Sequence, residues 1–348
     1  MKRALITILF STFFVFSFSQ THEQLSNYQS AFNEMMSMIK DEKPVDFKRA
    51  VFLTENAHYD NTLDYSKFCA EIDNHVEKIK NIIKSQPADA QKFKTIGHWA
   101  IFVYLTAELP ENDNKPFLYD FDNFLSSENP ENSFVTKLLR TKRGNCQSLP
   151  YFFKILANEI GAEAHLAFAP MHCYIKHKDE EGKWRNIELT NGSLARDVWI
   201  MQTMGVTTEQ ISSGLYMRAI SEKESVASSI ADLFNSYDRK YLFDMLTLPM
   251  IDTALTYYPN DYRFLIHKLN SYDVFVFVEK KQRNPDNELI KSYTATMNKI
   301  SNKISELGYV QGDIKEYERW ARSEGRKLNA EYQEKRKQER EKLNEQNP

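Results

Sequence analysis

Between Arg143 and Gly192 the chain carries a thiol, an imidazole and an acid in an order that suits covalent catalysis. Cys146 stands in Arg143-Gly144-Asn145-Cys146-Gln147-Ser148-Leu149-Pro150, ahead of an apolar helical run that ends at Ile160 and Gly161. A cysteine attacks as its thiolate, and a helix N-terminus favours that anion through unpaired backbone N–H groups and the helix dipole. Gly144 can adopt backbone shapes closed to other residues, and Pro150 fits a first helical turn because its missing N–H would be unpaired anyway. The same N–H groups, with Gln147 beside them, are expected to hold the oxyanion of an acyl-transfer transition state.

His172 opens the segment Met171-His172-Cys173-Tyr174-Ile175, and Glu188 lies within Trp184-Arg185-Asn186-Ile187-Glu188-Leu189-Thr190-Asn191-Gly192. A histidine here would take the thiol proton and return it to the leaving group, while an acid on its far nitrogen would fix the tautomer. Alternation puts His172 on the face of Tyr174, and Glu188 on the face of Trp184 and Asn186. Two adjacent antiparallel strands would then bring the pair together opposite Cys146. Tyr174 and Trp184 read as core or cleft wall. His165 and His177 have no flanking partner, and Cys173 points away from its neighbour His172 on a strand, so no metal site and no cofactor are expected.

Holding these groups in place takes a helix and a sheet. Phe152, Phe153, Leu156 and Ile160 share one helical face after Cys146, and Ala164–Ala169, Cys173–His177 and Trp184–Leu189 read as short strands. The expected fold class is α+β, a cysteine-bearing helix packed on a short antiparallel sheet and flanked by N- and C-terminal helices. Leu25, Tyr28, Phe32, Met35, Met36 and Ile39 recur at helical spacing, as do Ile72, Val76, Ile79, Ile82 and Ile83. A third helix is expected over Gln91–Leu109, before the polar loop Pro110–Pro116, and helical patterning resumes over Leu233–Tyr258 and Asp261–Lys280. The Pro259-Asn260 turn between the last two resembles a tetratricopeptide unit, although a solenoid needs about three or more repeats.

Met1-Lys2-Arg3, the apolar run Ala4–Phe18 and Ser17-Phe18-Ser19 fit a secretory signal peptide cleaved near Ser19. The expectation is an exported protein, periplasmic or extracellular, with no membrane span after cleavage. The remaining regions are 20–115, helical; 116–225, the core with the cysteine; 226–325, helical; and 326–348, a charged tail without an apolar stripe. A net charge of −3 with interspersed signs leaves no footprint for nucleic acid. Cys69, Cys146 and Cys173 are an odd set, which excludes a disulfide framework; a Cys69–Cys173 bridge would leave Cys146 free.

Gly144-Asn145-Cys146 before an apolar helix, His172 opening a strand, and Trp184 leading to an acid before Thr190-Asn191-Gly192 together resemble the core of the transglutaminase-like superfamily. The resemblance covers Arg143–Gly192, and Phe47–Leu63 and Phe117–Leu139 resemble, more loosely, the flanking helices of a related group. It implies a papain-like core in which Cys146 attacks a carboxamide carbonyl, an acyl-enzyme forms, and water or an amine takes the acyl group without a metal. Glu188 stands where the family usually has Asp, and Asn191 is the other candidate for orienting His172. The substrate expected from the resemblance is a protein, peptide or cell-wall amide, cleaved or transferred. The alternative expectation is a catalytically inactive binding or assembly module, with the C-terminal helices as the surface for a protein partner.

Overall fold

Residues 22–122, 124–126 and 130–310 are described by the computed structural model, with scattered positions from 319 to 338. The expected signal peptide at 1–19 and most of the charged tail lie outside them. Among the described residues the fold is mostly helical α+β with a four-stranded antiparallel sheet, and no helix is long and apolar enough to cross a membrane.

The chain opens with α1 (His22–Ile39), α2 (Phe47–His58) and α3 (Tyr65–Lys84). Asp46 and Asp64 start the second and third by accepting the N–H groups of Arg49 and Ser66, each at 2.8 Å, the capping role that short acids fill. Helix α4 covers Ile96–Thr106 rather than starting at Gln91, because Ala90–Lys92 forms a single 3-10 turn and Phe93 is extended.

Phe117–Leu139, expected as a flanking helix, is mostly not helical. Leu118–Tyr119 (β1) pairs in parallel with Arg143–Gly144 (β2), Pro130–Ser133 is a 3-10 turn, and helix α5 covers Val135–Thr141. The β-forming Phe117-Leu118-Tyr119 and the Pro-Glu-Asn-Ser cluster both oppose a helix. The Leu118 N–H donates to Lys142 O at 2.8 Å and the Asp120 N–H to Gly144 O at 2.7 Å, clamping the chain as it enters Cys146.

Helix α6 (Ser148–Glu159) ends at Gly161, whose φ of +73° closes the helix as the sequence implies. The sheet follows in the order β3 (His165–Ala169), β4 (His172–Lys178), β5 (Trp184–Glu188) and β6 (Ser193–Ala195). The sequence leads to three strands; β6 is too short to carry a readable alternation. The C-terminal part comprises α7 (Asp197–Met204), α8 (Thr208–Ser212), α9 (Glu222–Tyr241), α10 (Leu248–Tyr257), α11 (Tyr262–Lys280) and α12 (Asn287–Glu306). The expected continuous helix through Leu233–Tyr258 is broken after Leu242, which has φ +65°, and Pro249 takes its place in the first turn of α10, where no helical N–H is needed.

Two cores share α2. Its Phe47, Val51 and Phe52 pack with Ile79, Ile101, Phe152 and Ile175 of the core beneath the sheet. Its Ala50, Leu53 and Ala57 pack with Phe32 and Met35 of α1 and with Ile230 and Phe234 of α9. Between these faces the buried Glu55 reaches α5, its Oε1 accepting the Val135 N–H at 2.6 Å and its Oε2 the Thr136 N–H at 2.9 Å. Glu55→Ala leaves these buried donors unpaired, so urea unfolding should show a loss of roughly 2–4 kcal/mol; an unchanged midpoint would mean that water replaces the carboxylate.

Candidate active site

The β1–β2 clamp delivers Cys146 to the start of α6, and Asn145 fixes the approach. Its buried Nδ2 donates to Phe124 O at 2.9 Å, Ser126 Oγ at 3.1 Å and Ser133 Oγ at 2.9 Å, drawing the preceding loop around it. Its Oδ1 accepts the N–H groups of Gln147 at 2.9 Å and Ser148 at 3.1 Å, and its carbonyl accepts the Leu149 N–H at 3.3 Å. This corrects the expectation of free donors at this helix end: the first-turn N–H groups already have partners. Gly144 needs correcting too. Its φ is not positive, and glycine is required by space, since a Cβ there would lie 2.3 Å from Ser148 Oγ and 2.9 Å from Leu138 Cδ1.

Pro170 and Met171 form the two-residue link between Ala169 and His172, which pair across β3 and β4. Met171 sits at φ +56°, the left-handed region that the second position of a type II turn demands. Its carbonyl accepts from Cys146 Sγ at 3.7 Å, so this turn holds both the thiol and the start of the histidine strand.

His172 Nε2 donates to Glu188 Oε2 at 2.6 Å, with both side chains buried. Glu188 Oε1 accepts the Thr190 N–H at 2.8 Å and the Thr190 hydroxyl at 2.6 Å, so both carboxylate oxygens are bonded. Continuing the β4–β5 ladder beyond Ile175↔Ile187 sets Tyr174 opposite Glu188 and His172 on the diagonal. Diagonal neighbours stand about 7–8 Å apart, a span that suits the longer arm of Glu. The Tyr174 ring stacks on the imidazole at 6.3 Å and 19°. With Nε2 engaged, Nδ1 is the nitrogen left to Cys146, whose thiol contacts the imidazole. No hydrogen bond reaches Nδ1.

Burial opposes a charge on His172, but Glu188 and Cys146 together outweigh it and push its pKa up to about 10. Burial would likewise raise Glu188, yet His172 and Thr190 hold it below the ordinary carboxylate value. The two directions agree on a buried imidazolium–carboxylate pair.

No protein-family model, curated protein or solved structure matches this chain. The chemistry is therefore read from the geometry. Cys146, half-buried, comes together with His172 and Glu188. Asn191 does not join them: its Oδ1 accepts from Ser193 Oγ at 2.7 Å in the turn before β6. Gln147 directs its side chain to Asp232 of α9, a residue that the sequence reading missed. Asp232 also accepts from Tyr151 Oη at 2.7 Å, and burial pushes it up to about 6 against the pull of Tyr151, Arg263 and Gln147. Its signal was a lone acid inside the apolar run Ile230-Ala231-Asp232-Leu233-Phe234. All three cysteines are free thiols, and burial pushes the Cys173 thiol up, away from reactivity. Among the described residues, no group of three His, Cys, Asp or Glu side chains is arranged to hold a metal.

The pair sets a pH window. His172 is raised above its ordinary 6.5, so its contribution to stability is complete below pH 6.5 and is lost as pH rises through about 10. Glu188 is lowered from 4.5, so its contribution is complete above pH 4.5 and is lost as pH falls through the lowered value. Urea unfolding across this range should therefore show the pair's contribution at its maximum between pH 4.5 and 6.5. Glu188→Gln should flatten both limbs; wild-type limbs in that variant would assign them to other groups. Breaking the pair with Glu188→Ala should destabilise the fold by about 3–5 kcal/mol through the buried partner left behind.

Proposed function

We propose that this protein is a transglutaminase-like cysteine enzyme with a papain-like core, exported by its N-terminal segment, that cleaves or transfers the acyl group of a protein, peptide or cell-wall amide. The observation that carries this reading is the buried His172–Glu188 pair beside a half-buried thiol. The bonded carboxylate on one nitrogen also stabilises the fold, and the other nitrogen of the buried ring is left without a partner, with the Cys146 thiol nearby. A general base needs that arrangement.

In the proposed reaction His172 holds the thiol proton and the Cys146 thiolate attacks the carboxamide carbon. The tetrahedral adduct collapses as the imidazolium gives its proton to the leaving nitrogen, and a thioester on Cys146 remains. Water or an amine then adds to the thioester carbonyl, His172 takes the proton of the incoming nucleophile, and Sγ departs. Glu188 keeps the imidazole in one tautomer and balances its charge throughout. The resemblance leads to Asp at this position, and the diagonal placement of His172 gives Glu a physical reason: its additional methylene closes the distance. Asn191 has no part in this scheme.

Alkylation of Cys146 by iodoacetamide, followed by peptide mass spectrometry from pH 4 to 9, tests the reading. The expected result is a fast plateau well below the free-thiol value of about 8.5, reduced about tenfold or more in His172→Ala. Glu188→Asp draws the carboxylate back by about 1.5 Å, one C–C bond, and should lower the plateau part-way while the protein stays folded. An ordinary thiol titration unchanged by either substitution would leave a binding module as the better account.

A further inference from the structure

Cys146 lies in the turn between β2 and α6, and both of its neighbours are pinned, each from a different part of the chain. Asn145 is held by the loop that precedes it, through Phe124, Ser126 and Ser133. Gln147 is held through its side chain by Asp232 of α9. A reactive side chain misplaced by about 1 Å can lose as much as a hundredfold in rate, so what fixes these neighbours bears on the thiol.

Asp232 stands in the run Ile230-Ala231-Asp232-Leu233-Phe234, whose other members are all buried. Such a place takes a carboxylate only where it finds partners. Its Oδ2 accepts the Tyr151 hydroxyl at 2.7 Å, and the Tyr151 N–H donates to Gln147 O at 3.0 Å. Gln147 and Tyr151, four residues apart, share one helical face, so a single carboxylate spans the turn that follows Cys146. Because a carboxylate only accepts, Gln147 presents its Nε2 to Asp232, which fixes the orientation of the amide.

Arg263 of α11 backs this arrangement. Its Nη1 donates to Ser228 Oγ at 2.7 Å, one turn before Asp232 on α9, and its charge favours the ionised carboxylate. Asp261 accepts from its Nε at 3.0 Å and its Nη2 at 2.6 Å. The guanidinium lies 4.9 Å from the centre of the Phe168 ring, and Phe168 pairs with Cys173, the residue after His172 in β4. Helices α9 and α11 thus bear on both halves of the site, the turn carrying the thiol and the start of the histidine strand.

We propose that Asp232, with Cys146 the nucleophile of the proposed reaction, is a positioning residue that acts through Gln147 to hold the thiol against His172. Sign separates this role from a direct electrostatic one. A negative charge near a thiol disfavours the thiolate, so an Asp232 that acted only through its charge would slow Cys146, and removing that charge would speed it. A positioning Asp232 works in the other direction: its loss releases Gln147, lets the thiol move from the imidazole and lowers its reactivity.

Iodoacetamide alkylation of Cys146 in the full chain at pH 7, read by peptide mass spectrometry, tests the assignment, with circular dichroism and thermal unfolding on each variant. Asp232→Ala and Gln147→Ala should each slow the reaction about fivefold, and the double variant should be no slower than either, as for residues coupled in one hydrogen-bond network. Asp232→Asn keeps an oxygen for Tyr151 and an amide for Gln147 without the charge, and should restore most of the rate. Asp238→Ala breaks the bond to His267 at 2.7 Å further along α9, and should lower the unfolding midpoint without slowing alkylation. Gln147→Ala severs the link from the other side and decides the matter should Asp232→Ala fail to fold. Faster alkylation in both Asp232 variants, losses that multiply in the double variant, equal slowing in Asp238→Ala, or an unchanged rate in Gln147→Ala would each overturn the proposal. If His172→Ala slows alkylation and Gln147→Ala does not, the positioning role fails alone; if neither does, the thiol mechanism fails with it.

Discussion

A carboxylate shut away from water must find every partner inside the protein, and Glu188 is the group on which this architecture turns. His172 takes one oxygen and Thr190 takes the other twice over. That arrangement holds only if β4 and β5 keep a single register, because a slip of one residue would turn the imidazole to the opposite face. The Pro170–Met171 link sets where β4 begins, and Met171 accepts a left-handed backbone conformation that a non-glycine residue adopts at a cost of roughly 1–2 kcal/mol. The β1–β2 clamp and the Asn145 network then bring Cys146 to the same point from the other side.

Much of this centre was legible because its members are close in sequence and their alternation is simple. His172, Tyr174 and Glu188 could be assigned to facing positions from period-two patterning, and the helix after Cys146 announced itself through Phe152, Phe153 and Leu156. What could not be read depends on contacts between distant segments. Asp232 reaches Gln147 and Tyr151 from α9, and Glu55 caps α5 from α2; neither pairing leaves a local pattern. Phe117–Leu139 misled because its apolar residues have no period strong enough to separate a helix from a two-residue strand, a turn and a short helix.

The closed helix end alters the source of activation expected for the thiol. A free first turn would have lent its N–H groups and dipole to an anion, yet Asn145 takes the donors of Gln147 and Ser148 with one side-chain oxygen. On the proposed reading the positive charge beside the thiol comes instead from the sheet, through the buried imidazolium of His172. Asn145 gives up an anion site and gains a rigid approach, since the same side chain ties down Phe124, Ser126 and Ser133.

Helix α2 has no face to spare, since one side closes the core beneath the sheet and the other closes the core shared by α1 and α9. The two cores therefore cannot melt independently: loss of either strips apolar cover from the same twelve-residue rod. The Cys–His–Glu region is consequently not a detachable module with ornaments at its ends. It is the middle of one cooperative folding unit, and no shorter fragment lacking α9 would inherit a finished hydrophobic seam along α2.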